Sequence, residues 1–144
     1  MYASLATVGV IVSSVPVAYA LARMRWRGRQ VVFVIVIATM MLPSQVTIVP
    51  LYLMFVRVGW IGTLKPLIVP AFLGDAFSIF LFRQWFRNLP PHLFESAELD
   101  GANPLQAFRH IALPLALPVV AAVGVFAFVG SWNDFLGPLV YLRS

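Results

Sequence analysis

The chain contains no cysteine and very few acidic side chains. Its 144 residues include ten lysines and arginines but only five aspartates and glutamates, and charged residues together make up 10% of the sequence. The lack of cysteine excludes disulfides, thiolate metal sites and a cysteine nucleophile. Only two histidines are present, far apart in the sequence, so no metal site and no cofactor are predicted.

Apolar residues, in contrast, are abundant. Hydrophobic residues make up 61% of the chain and its mean hydropathy is +0.92, whereas a soluble domain is about 45 to 50% apolar. This composition indicates an integral membrane protein. The net charge of +5 does not indicate a nucleic-acid partner, because the basic residues lie at the edges of apolar runs, where they orient a membrane protein.

Four apolar runs predict an all-α fold with about four transmembrane helices, since a crossing needs about 20 apolar residues. Positive charges follow the first run instead of preceding it, which is the opposite of a signal peptide. The four runs are residues 5–22, 31–55, 66–86 and 115–129, the last extending at most to residue 135.

Two of these runs contain polar residues that are candidate functional groups. Pro43 and Pro50 interrupt the second run, with Gln45 between them, and a membrane helix tolerates such breaks beside other helices or a watery cavity. Gln45 is therefore a candidate for the lining of a solute pathway, although a kink that only serves packing fits equally well. Asp75 lies near the middle of the third run, where an isolated charge costs at least about 2.5 kcal/mol. It is a functional hypothesis, unless it lies at a boundary or pairs with a partner subunit.

The one long stretch that cannot lie in the membrane is residues 89–118, here called the polar loop. It holds both histidines and three of the five acidic residues. Pro91 suits the first position of a helix, and Gly101 ends that helix, because glycine takes a left-handed conformation that costs other residues roughly 1 to 2 kcal/mol. The helix has one apolar and one acidic side, formed by Phe94 and Ala97 and by Glu95 and Glu98 respectively.

A second helix follows in the polar loop. Asn103 is a predicted N-cap with Gln106 as its capping-box partner, and Pro104 suits the first helical position. Pro114 is predicted to end this helix. Its predicted apolar stripe consists of Leu105, Phe108 and Ala112.

The spacing of these residues follows a known signature. Glu95-Ser96-Ala97, Gly101 and Ile111-Ala112-Leu113-Pro114 resemble the EAA loop of permease subunits of binding-protein-dependent ATP-binding-cassette importers. That pattern is Glu-Ala-Ala, three residues, Gly, nine residues and Ile-x-Leu-Pro, and Ser96 is the one departure. Residues 80–86 are similar to a run that precedes this loop in the family, and residues 41–52 and 132–139 are similar to its carbohydrate-uptake branch.

The resemblance implies a single transmembrane permease domain over residues 1–144. Members of this branch usually have six helices, and the four runs correspond to the second through fifth, so the sequence is expected to be a fragment or to have a misassigned start. The resemblance also implies a non-catalytic subunit in the membrane of a prokaryotic cell, carrying a sugar or related small solute. The implied partners are an ATPase subunit, a second homologous permease subunit, an extracytoplasmic solute-binding protein and membrane lipid.

In the family, the EAA loop is a coupling helix that sits in a groove on the ATPase. Glu95 would offer a carboxylate to a basic residue there, small residues would allow close approach, and Gly101 would make the turn. A solvated helix face is the alternative for Glu95 and Glu98. The coupling residues implied by the resemblance are Glu95, Ala97, Asp100, Gly101, Ala102, Phe108 and Pro114.

Trp132, Asn133 and Asp134 form a second candidate group, on the solute path. Sugars are bound by aromatic stacking and by hydrogen bonds to carboxylates and amides, and these residue types supply both. An interfacial anchor with a polar loop fits the same three residues equally well.

Basic residues predict the orientation. If residues 23–29, the basic turn, share a side with the polar loop, that side is cytoplasmic by the positive-inside rule. It then holds Arg23, Arg25, Arg27, Arg29, Arg83, Arg87 and Arg109, against Arg57, Lys65 and Arg143 on the other side.

Two other classes of protein are less consistent with the sequence. A membrane-embedded enzyme lacks a Ser/His/Asp set or an HExxH pair, and the absence of a GxxxxGK[ST] loop assigns ATP hydrolysis to a separate protein. A passive channel or a scaffolding membrane subunit fits the composition but leaves the EAA spacing unexplained.

Overall fold

The computed structural model describes residues 1–142, which form helices and contain no strand, so the all-α prediction is confirmed. The α-helices are α1 (Tyr2–Ala22), α2 (Arg29–Thr39), α3 (Ser44–Arg57), α4 (Lys65–Ile68), α5 (Ala76–Asn88), α6 (Pro91–Leu99), α7 (Pro104–Ala107), α8 (Leu113–Leu115), α9 (Leu117–Trp132) and α10 (Leu136–Tyr141). A 3₁₀ segment, Val69–Leu73, follows α4, and a π-helical segment, Phe108–Ala112, lies between α7 and α8.

Helix α1 is central and packs against α5, α9 and the 3₁₀ segment. Small residues allow this approach. Gly9 lies against the ring of Phe72, where a Cβ atom would come within 2.7 Å of a ring carbon, and Ala18 is fully buried. The core surrounds the second half of α1, where Tyr19 and its neighbours meet Phe82 and Phe86 of α5.

Two helical stretches, Tyr2–Ala22 and Lys65–Asn88, are long and apolar enough to cross a membrane, and counting each of two bent helix pairs as one crossing gives four. The second run differs from the predicted kinked helix, because α2 and α3 meet at 97°. Pro43 has no N–H for the carbonyl of Thr39 and disfavours a helical Leu42, so α2 ends before it and α3 begins after it.

The helix after Gly101 does not end at Pro114, which corrects that prediction. It continues to Leu115, and the chain then bends by 70° before α9. Because Pro114 has no N–H, the carbonyl of His110 loses its partner four residues on, and the Leu113 N–H instead bonds to the carbonyl of Phe108, five residues back. The proline produces a π-helical turn rather than a helix end.

Asp75 has a structural role within the chain. The third run breaks at Gly74, whose φ is +94°, and Asp75 is the N-cap of α5. Its carboxylate accepts hydrogen bonds from the Ser78 N–H, at 2.8 Å, and from the Ser78 hydroxyl. Its own N–H donates to the Ser14 hydroxyl of α1 at 3.2 Å. An acidic residue in the middle of an apolar run is therefore satisfied without a partner subunit.

Candidate functional site

The first helix of the polar loop ends as predicted. Gly101 has a φ of +83°. The Ala102 N–H donates to the Ala97 carbonyl at 2.9 Å, and the Gly101 N–H donates to the Glu98 carbonyl at 3.0 Å. These two bonds form a Schellman C-cap. A Cβ atom on Gly101 would meet nothing within 4 Å, so the backbone angle, not lack of space, requires glycine.

The second helix begins with the predicted capping box. The Asn103 carboxamide oxygen accepts from the Gln106 N–H at 2.8 Å, and the Gln106 carboxamide oxygen accepts from the Asn103 N–H at 2.8 Å. Pro104 occupies the first turn. The C-cap and the capping box are consecutive, so local hydrogen bonds alone fix the sharp turn between the two helices.

The two sides of α6 also separate as predicted. Phe94 and Ala97 are half-buried, with Phe94 packed against the core, whereas Glu95 and Glu98 are exposed. Between the ends of the two helices the turn forms an open notch of about 380 Å³. Four of the residues implied as coupling contacts line it, Ala97, Asp100, Gly101 and Ala102.

The second helix anchors the polar loop through Phe108 and Ala112, while its first turn is largely exposed. Phe108 is half-buried and its ring centroid lies 4.8 Å from that of Tyr19. Ala112 is fully buried. Leu105 is 71% exposed, so its predicted place on the apolar stripe is wrong, and Ala107 is buried instead.

Tyr19 of α1 and Arg23 of the basic turn hold the polar loop, and neither is among the site residues predicted from the sequence. Arg23 donates to the carbonyls of Phe86, at 2.9 Å, and Leu89, and its guanidinium lies 4.2 Å from the centroid of the Phe94 ring. The pKa of Arg23 is lowered, because the effect of burial exceeds the opposing effect of the nearby Tyr19. The available signal was Pro90, which cannot donate to the Phe86 carbonyl and so leaves it free for another donor.

These contacts place the basic turn and the polar loop at one end of the bundle, the condition on which the predicted orientation depends. At the opposite end the Gly62 N–H donates to the Tyr141 carbonyl at 2.8 Å. Gly62 is close in sequence to Arg57 and Lys65, which therefore lie at that end. Arg143, assigned to that side, lies outside the described residues.

Residues 132–134 lie at the end opposite the polar loop. The Asp134 carboxylate accepts from the Tyr2 hydroxyl and from the Gly137 N–H, each at 3.1 Å. The pKa of Tyr141 is raised, mainly by burial and to a lesser extent by the negative charge of the Asp134 carboxylate. Trp132 is 69% exposed and stacks on Phe128, and Asn133 is exposed at the end of α9.

Gln45 is exposed in the first turn of α3. Helix α3 reaches the region of residues 132–142 through Phe55, whose ring centroid is 5.4 Å from that of Tyr141. Ten residues of helix, about 15 Å, separate Phe55 from Gln45. The structure therefore does not bring Gln45 together with residues 132–134. Within residues 1–142, no three histidine, aspartate or glutamate side chains form a metal-binding group.

Fold and site together define an α-helical membrane protein with a preformed helix-turn-helix exposed at its basic end. The chain belongs to the family described as "Binding-protein-dependent transport system inner membrane component", whose sequence profile matches residues 14–143.

Relatives support the same family. The chain is 37% identical over 138 residues to the "Osmoprotective compounds uptake permease protein GgtD" of Synechocystis, covering 95% of this chain and 46% of that protein. It is 36% identical over 128 residues to the "Arabinooligosaccharides transport system permease protein AraQ" of Halalkalibacterium halodurans, covering 89% and 46%. It is 37% identical over 138 residues to the "sn-glycerol-3-phosphate transport system permease protein UgpE" of Pectobacterium atrosepticum, covering 96% and 49%.

A solved structure matches nearly all of the chain. It is described as the "Crystal structure of a bacterial ABC transporter involved in the import of the acidic polysaccharide alginate", with a TM-score of 0.87 and 31% sequence identity. The match covers 99% of this chain and 50% of that one. The chain thus spans about half the length of the relatives it matches.

Proposed function

We propose that this protein is a permease subunit of an ATP-binding-cassette importer and that its polar loop couples it to a separate ATPase subunit. The observation that carries the proposal is the loop itself. A Schellman cap and a capping box follow each other at the family spacing, and the turn they fix is exposed at the end of the bundle that carries the basic turn. Such a structure is preorganised for docking, so little ordering entropy opposes binding.

The exposed side of α6 has the chemistry for that contact. Glu95 is a solvent-facing carboxylate that can pair with a basic residue of the ATPase, and charge-assisted hydrogen bonds are among the stronger polar contacts. Asp100, Gly101 and the small side chains of Ala97 and Ala102 leave an open notch into which a partner side chain can enter. Phe108, Ala112 and Leu113 pack against the core and support the second helix of the loop, while Pro114 is exposed.

The proposed cargo is a sugar or related small solute. The names of relatives refer to arabinooligosaccharides, sn-glycerol-3-phosphate and osmoprotective compounds, and the solved structure belongs to an importer of the polysaccharide alginate. The exposed aromatic, amide and carboxylate groups of Trp132, Asn133 and Asp134 suit hydroxyl-rich molecules, and Gln45 is a separate candidate on the path. An interfacial anchor is the competing role for residues 132–134.

The proposed assembly lies in the cytoplasmic membrane of a prokaryote. Seven arginines at the loop end favour a cytoplasmic position for the polar loop under the positive-inside rule. Partners are the ATPase, a second homologous permease subunit and an extracytoplasmic solute-binding protein. Helices α2 and α3 have one buried residue between them, Phe55, so wide apolar surfaces remain for lipid and for a second subunit.

The test uses the absence of cysteine. A photo-crosslinker attached to Glu98→Cys, on the exposed side of α6, should capture an ATPase subunit in native membranes of the source organism. Lys65→Cys, exposed at the opposite end of the bundle, is the matched control and should capture none. Labelling of position 98 only from outside the cell, or capture of no ATPase, would contradict the proposal and favour a passive channel or scaffolding subunit.

A further inference from the structure

The polar loop is attached covalently to α5 and α9, yet two side chains at the end of α1 hold it. Tyr19 and Arg23 are one helical turn apart, and between them they contact the end of α5, both helices of the loop and the turn that leads into it. Chain connectivity does not require these contacts, because they join residues at least 63 positions apart.

Arg23 replaces a backbone hydrogen bond that the chain cannot make. The carbonyl of Phe86 would accept from the residue four positions on, but that residue is Pro90, which has no N–H. The Nε of Arg23 donates to this carbonyl at 2.9 Å, and a terminal nitrogen donates to the Leu89 carbonyl. The guanidinium also stacks 4.2 Å from the Phe94 ring centroid. One side chain thus binds both sides of the link between α5 and α6.

That link is otherwise a natural hinge. Leu89 and Pro90 have ψ angles of 141° and 126°, so the chain is extended there and the two helices do not form one rigid rod. Without Arg23, a displacement of α6 could be absorbed by rotation at these two residues. With Arg23 in place, the displacement acts on α1.

Tyr19 makes the corresponding contact with both loop helices. It is 5% exposed, and its ring centroid lies 4.8 Å from Phe108, 5.5 Å from Phe86 and 6.4 Å from Phe94. Its hydroxyl donates to the Pro104 carbonyl at 3.4 Å. Both loop helices therefore rest on one residue of the central helix.

We propose that Tyr19 and Arg23 form a joint that transmits movement of the polar loop to α1. This inference rests on the proposed coupling function and names the helix that carries the movement. Because α1 packs against α5 and α9, a displacement passed to it reaches the centre of the bundle. Tyr19 and Arg23 are positioning residues and touch neither ATP nor solute.

The chemistry at position 23 specifies arginine. Its planar fork can donate to two carbonyls while its face stacks on an aromatic ring, which a lysine ammonium cannot do. Arg23→Lys therefore keeps the charge and removes the contribution of Arg23 to the joint. Arg25→Lys is the matched control, because Arg25 is an exposed arginine of the same basic turn.

The experiment compares these variants in the assembled importer, measuring solute uptake, ATP hydrolysis and capture of the ATPase from position 98. For Arg23→Lys we expect capture and ATP hydrolysis to persist, while solute moved per ATP falls on the order of tenfold, as for loss of one charged hydrogen bond. Arg25→Lys should match the parent protein. An unchanged ratio of uptake to hydrolysis in Arg23→Lys would overturn the joint.

Two outcomes separate this inference from the function on which it rests. Loss of ATPase capture in Arg23→Lys alone would mean that Arg23 only seats the loop, which also overturns the joint. Failure of capture in the parent protein would overturn the proposed function instead. If Arg23→Lys does not assemble, Tyr19→Phe serves, because it removes only the hydroxyl. A smaller fall in the same ratio is then expected, and an unchanged ratio counts against the joint.

Discussion

Helix α1 reaches both ends of the helix bundle, and its tyrosines at the two ends differ in how deeply they are buried. At the loop end, Tyr19 of α1 is buried among three aromatic rings. At the opposite end, Tyr2 of the same helix is partly exposed and makes one hydrogen bond, to Asp134. The ring of Tyr19 is therefore fixed by packing at the end proposed to receive movement, whereas the ring of Tyr2 is partly exposed at the end proposed to meet solute.

This difference agrees with what each end is proposed to do. A loop that transmits displacement must not dissipate it, and close aromatic packing resists deformation. A solute path must leave polar and aromatic groups accessible, as Trp132 and Asn133 are. Variants placed in pairs, one at each end, test whether the contrast is real.

The largest difference is expected between Tyr19→Ala and Tyr2→Ala. The first removes a buried ring and should lower the free energy of unfolding by about 3 to 5 kcal/mol, as for other aromatic core truncations. The second removes one partly exposed hydrogen bond and should cost about 1 kcal/mol. Thermal unfolding of the purified variants in detergent micelles measures both. Equal losses would mean that the two ends are equally well packed.

The contrast between the ends also shows what the sequence could predict. The cap at Gly101 and the capping box of Asn103 and Gln106 are local, involving residues at most five apart, and both were predicted correctly. Asp75 stands out in the sequence as a charge inside an apolar run, but its role as an N-cap depends on the break at Gly74, where its N–H donates to the Ser14 hydroxyl of α1.

The anchoring by Tyr19 and Arg23 could not be predicted. Helix α1 is apolar on all sides, so no stripe indicates which face meets the loop.

The prolines indicated where the helices are disturbed but not what form the disturbance takes. At Pro43 the structure has a 97° bend where a kink is expected, and before Pro114 it has a π-helical turn where a helix end is expected. A missing N–H determines which hydrogen bond is lost, but it does not determine how the chain compensates.

Gly101→Ala and Gly59→Ala introduce the same backbone strain at opposite ends. Both glycines have positive φ, +83° and +68°, and a Cβ atom at either meets nothing within 4 Å. Each substitution should therefore cost roughly 1 to 2 kcal/mol, measured by thermal unfolding. Uptake by the assembled importer should fall only for Gly101→Ala, because only that turn belongs to the polar loop. Similar falls in uptake in both variants would mean that backbone strain, and not the loss of coupling through the polar loop, lowers uptake.

Asp134 provides a smaller test at the far end. Asp134→Ala removes the acceptor for the Gly137 N–H and the Tyr2 hydroxyl and should cost about 1 kcal/mol, as for loss of a helix cap. Asp134→Asn is the matched control, since it keeps an oxygen acceptor and removes the charge. If Asp134 contacts solute, both variants lower uptake while ATPase capture from Glu98→Cys persists. Normal uptake in Asp134→Asn would assign the carboxylate a purely structural role.

Gln45 should give the smallest change in stability. It is exposed, and its carboxamide oxygen accepts one hydrogen bond, from the Ser44 hydroxyl at 3.5 Å, so Gln45→Ala should alter the free energy of unfolding by less than about 0.5 kcal/mol. Ser44→Ala, in the same exposed turn of α3, is the matched control. The concentration dependence of uptake separates the two roles of Gln45. A weaker apparent affinity for solute in Gln45→Ala alone would place it on the path, whereas identical curves for both variants would leave it as part of the bend after Pro43.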